Sequence, residues 1–331
     1  MIVTQAPLRV SFFGGGTDLP SFYEHIGQGQ VLTSAIGLSV HVVVQPRWDD
    51  RVCAHYTRRE LVDDASEVEH DLIREALLLT GVRSGVEVTT LADVPGEGTG
   101  LGSSSSITVA LLAALYAYTG RTVSRRCLAE QACEIEIERL GKVSGKQDQF
   151  IAAYGGVRRI TFDTWVKAHE VRVSLEEIDR LEDRLLMFYT GRTRQSSMIL
   201  AEQAARTTEH AGALRSMVSY AIEGERLLLR GNLDGFGELL DTAWQVKRSL
   251  ASGVSTSEID ALYHRARGAG ALGGKVCGAG GGGFLLLYAR PERQRDIRAA
   301  LDGLREVRAS LGAPGCRIVY SDAPARVGVL V

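Results

Sequence analysis

PGEGTGLGSSSSITVALL, residues 95–112, is the stretch that decides how this chain folds. Gly98, Gly100 and Gly102 alternate with other residues and lead into four consecutive serines and an unbroken apolar run. The apolar run predicts a buried helix over about 104–119, and one serine at the junction would act as its cap. A cap explains neither the other serines nor the alternating glycines. A loop with outward backbone N–H groups before a helix N-terminus binds anions, so the stretch predicts a phosphate-binding loop.

The composition is that of an ordinary globular protein. The 331 residues are 45% hydrophobic and 24% charged, with a formal net charge of −2, so nucleic acid is not an expected partner. Residues 1–10 show no signal-peptide pattern and no apolar run is long enough to span a membrane, so no membrane partner is expected either. Five widely spaced cysteines without a CxxC pair predict reduced thiols in a cytoplasmic protein and no bound transition metal.

Strand and helix patterns alternate along both halves of the chain, which predicts an α+β or α/β class. We place a domain boundary near residue 180, so the predicted domains are 1–180 and 181–331. The elements expected before the boundary are strands over 2–13, 38–45 and 86–90, helices over 67–80 and from the cap Ser124 to about 140, and a strand pair within 155–173. Those expected after it are a strand at RLLMFYT, three helical stretches within 195–268, a strand at FLLLYA, a helix near 291–303 and a last strand at CRIVY.

A second glycine-rich run, GAGGGG at 278–283, matches the GxGxxG pattern of dinucleotide-binding proteins. That fingerprint requires a helix after the glycines, whereas the next residues, FLLLYA, predict a strand. The P-loop patterns GxxxxGKS and GxxxxGKT do not occur in the chain either. The run therefore predicts a turn between two strands. Because a turn needs only one or two glycines, the additional ones predict a close backbone approach to a bulky group.

One glutamate of the segment 129–140 requires an explanation. In a helix, Glu136 shares the apolar face that contains Cys133, whereas Glu134 and Glu138 point the other way. A carboxylate on an apolar face is costly unless it is paired or binds a metal. Two interpretations follow. Glu136 either pairs with a buried arginine or binds Mg²⁺ and faces the phosphate loop.

Two further polar positions are candidates for chemistry. The run PLRVSFFGGGTDLP has Thr17 and Asp18 just after a glycine turn, a pattern that is also typical of a simple turn. The polar run SGKQDQ has Asp148 two residues after Lys146. A carboxylate near a cation stays ionised and can act as a base.

These three glycine-rich loops and the acidic helix, in this order, resemble the GHMP kinase superfamily, which includes galactokinase, homoserine kinase and mevalonate kinase. The resembling motifs PLRVSFFGGGTDLP, PGEGTGLGSSSS and KVCGAGGGGF span nearly the whole chain. GGGTDLP, GKQDQ and YTGRTRQS are most similar to bacterial kinases of D-glycero-D-manno-heptose 7-phosphate. The resemblance implies an α+β, two-domain GHMP kinase fold, with an N-terminal domain similar to domain 2 of ribosomal protein S5 and a ferredoxin-like C-terminal domain. It also implies phosphoryl transfer from ATP with Mg²⁺.

The resemblance implies roles for individual residues as well. The residues expected to hold the ATP phosphates are Gly98, Gly100, Leu101, Gly102, Ser103, Ser104, Ser105 and Ser106. Mg²⁺ would be bound by Ser104 and Glu136, and the catalytic residues would be Asp148 and Arg9. The residues expected to bind the acceptor are Gly15, Gly16, Thr17, Asp18, Lys146, Arg194, Gly280 and Gly281.

The resemblance implies a small sugar or sugar phosphate as acceptor, and a sugar phosphate would need a second basic site. The candidates for this site are Lys142, Lys146, Arg192 and Arg194. Arg194 ranks first because the resembling kinases have an arginine in T-G-x-x-R. Galactokinase has Glu-His where this chain has Gly15 and Gly16, which argues against galactose. The alternatives are a fucokinase-like 1-kinase of an unphosphorylated sugar and a non-catalytic sugar- or ATP-sensing relative, and we expect a monomer or homodimer.

Overall fold

The computed structural model describes residues 1–95, 98–192, 196–308 and 310–322. Its strands are β1 (Ile2–Phe13), β2 (Gly29–Pro46), β3 (Val52–His55), β4 (Arg59–Val62), β5 (Val86–Ala92), β6 (Val157–Phe162), β7 (Lys167–Glu170), β8 (Leu185–Tyr189), β9 (Gly273–Val276), β10 (Phe284–Tyr288), β11 (Arg305–Glu306) and β12 (Arg317–Ser321). Its α-helices are α1 (Pro20–Tyr23), α2 (Asp71–Thr80), α3 (Ser103–Tyr118), α4 (Arg125–Cys133), α5 (Gln147–Tyr154), α6 (Leu175–Glu182), α7 (Ser196–Ala205), α8 (Ala211–Leu229), α9 (Leu233–Arg248), α10 (Ser257–Gly268) and α11 (Gln294–Ala300). A π-helical segment, Glu134–Arg139, follows α4, and short 3₁₀ turns lie at Ala65–Glu67 and Pro291–Arg293.

The larger sheet has eight strands and is built around β2. This strand is 18 residues long and pairs antiparallel with β1, β5 and β6 along its length. The strand order is β12-β1-β2-β5-β3-β4, with β6 attached to β2 and β7 to β6. Helix α3 packs across β1 and β2 and is buried on nearly all sides, which explains why its sequence is apolar without an amphipathic period. This packing fixes the position of the α3 N-terminus and of the loop before it.

The strand predicted at CRIVY lies in the N-terminal sheet. Strand β12 pairs antiparallel with β1, so that Ile2 is opposite Ser321 and Gln5 is opposite Arg317. Cys316, just before β12, is buried in the same core as α3. The domain boundary near residue 180 stays a prediction. Strand β12 lies after that boundary in sequence but belongs to the larger sheet, together with β1 to β7.

The smaller sheet has the order β11-β8-β10-β9, and each of its described pairs is antiparallel. The second glycine-rich run connects β9 to β10, as its sequence predicts. The described residues 196–268 contain four helices, α7 to α10, where the pattern predicts three helical stretches within 195–268. The turn between α7 and α8 contains neither glycine nor proline and keeps a helix-like bond from His210 N–H to Arg206 O (3.0 Å). Residues of this kind give no sequence signal for a break.

Two expectations from composition can be compared with the structure. The five cysteines are free, as their spacing predicts. Within the described residues, no helix combines the length and the apolar character needed to cross a membrane.

Candidate active site

A cavity of about 620 Å³ brings together the segments singled out in the sequence. The N-terminal turn of α3 and the loop before it form one side, next to the loop after β1 and the turn between β9 and β10. Residues 142–145, residues 147 and 148, and the helices α7 and α9 complete the wall. The cavity is therefore lined by residues from both halves of the chain.

The N-terminus of α3 is open toward this cavity. Its N-cap is Gly102, at a φ of 79°, and no side chain caps the helix, so the expectation that a serine caps it is wrong. The first intrahelical bond joins Ser106 N–H to Gly102 O (3.0 Å). The N–H groups at the start of the helix consequently have no acceptor inside it. Together with the positive end of the helix dipole, they form an anion site.

The alternating glycines of the loop have two structural reasons. All three have φ between 70° and 79°, a region that side chains disfavour. The loop also packs backbone against backbone on the turn at 278–283, because a methyl group at Gly100 would overlap the carbonyl oxygen of Cys277. In the same contact, Phe284 N–H donates to Thr99 O (3.2 Å). The additional glycines of the run 278–283 are predicted to approach a bulky group. That group is the backbone of the glycine-rich loop before α3.

The consecutive serines point in different directions. Ser104 is exposed and lines the cavity. Ser105 is buried and donates to Glu136 Oε2 (3.0 Å), while Ser106 is buried and donates to a backbone carbonyl of β1 (2.7 Å). Of the eight residues expected to hold phosphates, Leu101 and Ser106 are buried outside the cavity wall, and the other six line it. A direct phosphate contact is therefore expected only from those six.

Alanine substitutions should separate two of these serines. Ser106→Ala is expected to lower the free energy of unfolding by about 1–3 kcal/mol, because it leaves a buried carbonyl of β1 without its donor. Ser104→Ala should leave the stability unchanged within about 0.5 kcal/mol, since the side chain is exposed, and should raise the Mg²⁺ concentration needed for activity. Urea unfolding and Mg²⁺ titration of the rate measure the two effects. The structural role of Ser106 and the Mg²⁺-binding role of Ser104 are wrong if the two variants show each other's expected effects.

Glu136 lies on the buried face, as the helical pattern predicts. It is 3% exposed, whereas Glu134 pairs with Arg139 (2.7 Å) and Glu138 is exposed. Burial raises the pKa of Glu136 to about 7, against the lowering effect of the bond from Ser105. In the part of the chain that the structure describes, no arginine forms an ion pair with Glu136, so the buried-arginine interpretation finds no support there.

The oxygen atoms around Glu136 fit a hard divalent cation. Among the described residues, Glu136 Oε1 has no hydrogen-bond partner although it is buried. The hydroxyl of Ser104 lines the same cavity. Mg²⁺ prefers oxygen ligands and needs only one or two from the protein. Ser104 and Glu136 remain our predicted ligands on this basis.

Asp148 and Arg9 form a bidentate pair beside the open helix. Asp148 lies in the first turn of α5 and accepts hydrogen bonds from Arg9 Nε (2.8 Å) and Nη2 (2.7 Å). Arg9 also donates to the carbonyl oxygen of Gly100, which connects the pair to the glycine-rich loop. Both residues line the cavity, and the Asp148 side chain is 20% exposed. The carboxylate is therefore held in one orientation and stays accessible to a ligand.

The loop after β1 contributes Gly15, Gly16 and Asp18 to the cavity. Gly16 N–H donates to Asp18 Oδ1 (2.9 Å). Burial, and next the negative charge of Asp148, raise the pKa of Asp18. Thr17 is different, because its buried hydroxyl lies 2.8 Å and 2.9 Å from two backbone carbonyl oxygens that can accept its single hydrogen, and it is not part of the wall. Thr17 thus holds the loop, and Asp18 is the side chain that faces a ligand.

The basic candidates for binding an acceptor phosphate are not equivalent. Lys142 lines the cavity and is ion-paired with Asp71 (2.8 Å). Lys146 does not belong to the cavity wall. Its Nζ lies 5.5 Å from the centre of the Tyr23 ring, so the structure directs it to that ring and not to the cavity.

The remaining acceptor candidates also differ. Arg192 is exposed and lies 3.5 Å from Glu258, outside the wall. Arg194, which ranks first in the sequence, lies outside the described residues. Gly280 lines the cavity, whereas Gly281 donates its N–H to a backbone carbonyl (2.9 Å) and is not in the wall.

Lys247, a buried residue of the cavity wall, and Gln203, which accepts a hydrogen bond from it, are absent from the sequence-based predictions. Lys247 is 3% exposed, and burial lowers its pKa to about 8, against the raising effect of Asp18. A sequence signal for Lys247 existed, because it follows the buried positions Leu240 and Trp244 at helical spacing on α9. A charged residue on an apolar face is the same signal that identified Glu136.

Comparison with known proteins identifies the family of the chain. The N-terminal domain model of the GHMP kinases matches residues 70–156, and the C-terminal domain model matches 225–306. Over 319 residues the chain is 27% identical to D-glycero-alpha-D-manno-heptose 7-phosphate kinase of Campylobacter jejuni, covering 91% of this chain and 93% of that one. Over 247 residues it is 32% identical to mevalonate kinase of Methanothermobacter thermautotrophicus, covering 74% and 78%.

A solved structure shows the same fold. The crystal structure of a D-glycero-D-manno-heptose 1-phosphate kinase from Bacteroides thetaiotaomicron superimposes with a TM-score of 0.80 at 23% identity, over 97% of this chain and 100% of that one. The predicted α+β fold with GHMP kinase N- and C-terminal domains is confirmed. The chain belongs to the GHMP kinase family and is an ATP-dependent kinase.

Proposed function

We propose that the protein transfers the γ-phosphoryl group of ATP to the anomeric hydroxyl of D-glycero-D-manno-heptose 7-phosphate and thereby forms the 1,7-bisphosphate. The observation that carries the proposal is the grouping of the open α3 N-terminus, Glu136 and the Asp148–Arg9 pair around one cavity. The similarity to the heptose 7-phosphate kinase of Campylobacter jejuni extends over nearly all of both chains and supports this choice of acceptor.

The glycine-rich loop and the start of α3 would hold the phosphates of ATP. Backbone N–H groups and the helix dipole stabilise negative charge without any side-chain charge. Ser104 and Glu136 would hold Mg²⁺, which would supply positive charge to neutralise the phosphates. In phosphoryl transfer the protein mainly positions the reactants and compensates charge.

Asp148 would act on the attacking hydroxyl. In the proposed step its carboxylate accepts a hydrogen bond from the anomeric O–H and takes the proton as the new O–P bond forms and the bond to ADP breaks. Arg9 keeps the carboxylate aligned through its two hydrogen bonds. Its fixed positive charge also stabilises the developing negative charge on the attacking oxygen.

The sensing alternative receives less support than catalysis. A sensor needs to bind sugar and ATP but has no need of an accessible aspartate aligned by a buried arginine. The charged residues Asp148, Arg9 and Glu136 all line the cavity. We therefore favour a catalytic role and keep the fucokinase-like alternative as an outcome of the acceptor test.

The acceptor test measures ADP release with a panel of sugars. We expect the highest kcat/KM with D-glycero-D-manno-heptose 7-phosphate, and lower values with the unphosphorylated heptose, fucose, galactose and mevalonate. Phosphorus NMR of the product should show a new phosphate on the anomeric carbon. A preference for fucose or unphosphorylated heptose would replace the proposed acceptor by a neutral sugar, and no ADP release with any acceptor would favour the sensor.

A further inference from the structure

One wall of the cavity contains an ammonium group from a single helix of the second half of the chain. Lys247 on α9 donates from Nζ to Gly15 O (3.1 Å) and to Gln203 Oε1 on α7 (3.2 Å). Both side chains are buried, at 3% and 1% exposure. The loop after β1 therefore rests on two residues that lie more than 180 positions further along the chain.

Hydrogen-bonding positions on Lys247 and Ser11 remain available to a ligand in the cavity. A lysine ammonium has three N–H donors, and two of those of Lys247 are used. Among the described residues, Gln203 Nε2 and Ser11 Oγ are buried without a partner. Lys247 and Ser11 line the cavity, as does Asp18. Buried polar groups without partners are unfavourable unless a bound molecule or water satisfies them.

The glycine at position 16 makes room for this group. A methyl at Gly16 would overlap the amide of Gln203 and lie 3.4 Å from Lys247 Nζ. Its φ of 104° also disfavours any other residue. The loop after β1 therefore has a glycine, without a side chain, where Lys247 and Gln203 pack against it.

The charges of this group indicate which chemistry it binds. Lys247 and Asp18 interact electrostatically, so the group holds one cation and one anion and is close to neutral. A phosphate dianion would face the carboxylate of Asp18 as well as the ammonium. A pair of neighbouring hydroxyls fits better, because each can accept from an N–H donor and donate to a carboxylate.

We propose that Lys247, positioned by its hydrogen bond to Gln203, joins Asp18 in a subsite that binds neighbouring hydroxyls of the acceptor's carbohydrate ring and does not bind its phosphate. The proposal rests on the proposed sugar kinase function and names the part of the acceptor that this subsite recognises. Lys247 is then a specificity residue contributed by α9, and any acceptor phosphate is bound elsewhere.

Lys275 provides a matched control. It is also a buried lysine, 4% exposed, and its Nζ donates to Ser11 O (2.7 Å). It does not belong to the cavity wall. Lys275→Met therefore reports the cost of removing a buried ammonium that a ligand does not contact.

The test compares Lys247→Met and Lys275→Met with wild type by steady-state kinetics, with the heptose and with its 7-phosphate. We expect Lys247→Met to raise KM about 10- to 150-fold for both acceptors, the range for losing a bond to a charged group. KM for ATP should change less than threefold. Lys275→Met should change KM for the acceptors and KM for ATP by similar factors. A loss confined to the phosphorylated acceptor would overturn the proposal, as would a fall in kcat with unchanged KM.

Deoxy acceptors keep the test valid if Lys247→Met is unstable. With wild type, removing one hydroxyl of the bound pair should raise KM at least tenfold, while removing a hydroxyl elsewhere on the ring should have little effect. Uniform tolerance of every deoxy acceptor would overturn the proposal. If the panel identifies a different sugar as acceptor, the same comparison is made with that sugar, so a wrong acceptor and a wrong subsite give different results.

Discussion

Asp148→Asn is expected to lower kcat by about 10²- to 10⁴-fold, the range for loss of a positioned general base. The substitution keeps the size of the side chain but removes the charge that Arg9 holds with two hydrogen bonds. An asparagine NH₂ group also cannot accept from the guanidinium, so one of the two bonds is lost. KM for ATP should stay within about threefold, because the phosphates are held by the loop and by α3.

The control for this prediction is Asp179→Asn, an exposed aspartate on α6. It removes the same charge from a residue that is not part of the cavity wall, so it should leave kcat unchanged. Rapid-quench measurement of a single turnover distinguishes a slower chemical step from slower product release. An Asp148→Asn enzyme within a few-fold of the wild-type rate would remove Asp148 from the mechanism.

Glu136→Gln is expected to raise the Mg²⁺ concentration for half-maximal activity about 10- to 150-fold, the range for a lost charge-assisted contact. The amide has nearly the same shape, so the buried bond from Ser105 can be kept by the remaining carbonyl oxygen. Only the negative charge and one ligand oxygen are lost. The apo protein should remain folded, because the buried carboxyl carries a raised pKa and is unfavourable when ionised.

A second readout for this variant does not depend on activity. Mg²⁺ that binds the folded state raises the melting temperature of the wild type by mass action, and this increase should be absent from Glu136→Gln. The matched controls Glu134→Gln and Glu138→Gln lie on the same helical segment and face away from the core. If all three variants respond to Mg²⁺ like the wild type, Glu136 is not a ligand.

Local patterns predicted much of the fold and part of the site. The burial of Glu136 follows from helical spacing, and the buried α3 follows from its apolar run. The different directions of Ser104, Ser105 and Ser106 could not be predicted, because they depend on what packs against each face of the first helical turn. The orientation of Lys146 toward Tyr23 depends in the same way on a distant element, α1.

Long-range pairing accounts for the other differences. The antiparallel contact between β1 and β12 joins residues more than 300 positions apart, and no periodicity within CRIVY identifies its partner strand. Lys247 carried the same signal as Glu136, a charge on an apolar helical face, but the carbonyl that accepts from it lies in the loop after β1. Sequence patterns identify such a residue as unusual and leave its partner open.

The position of β12 has a consequence for how the chain folds during synthesis. Strand β1 is made long before β12, and the edge of β1 that pairs with β12 stays unpaired until β12, the last described strand, has been made. Unpaired strand edges are templates for association with other chains, and pairing over such a long sequence separation is slow. We therefore expect the newly made chain to be most prone to aggregation in the interval after β1 has been made and before β12 has paired with it.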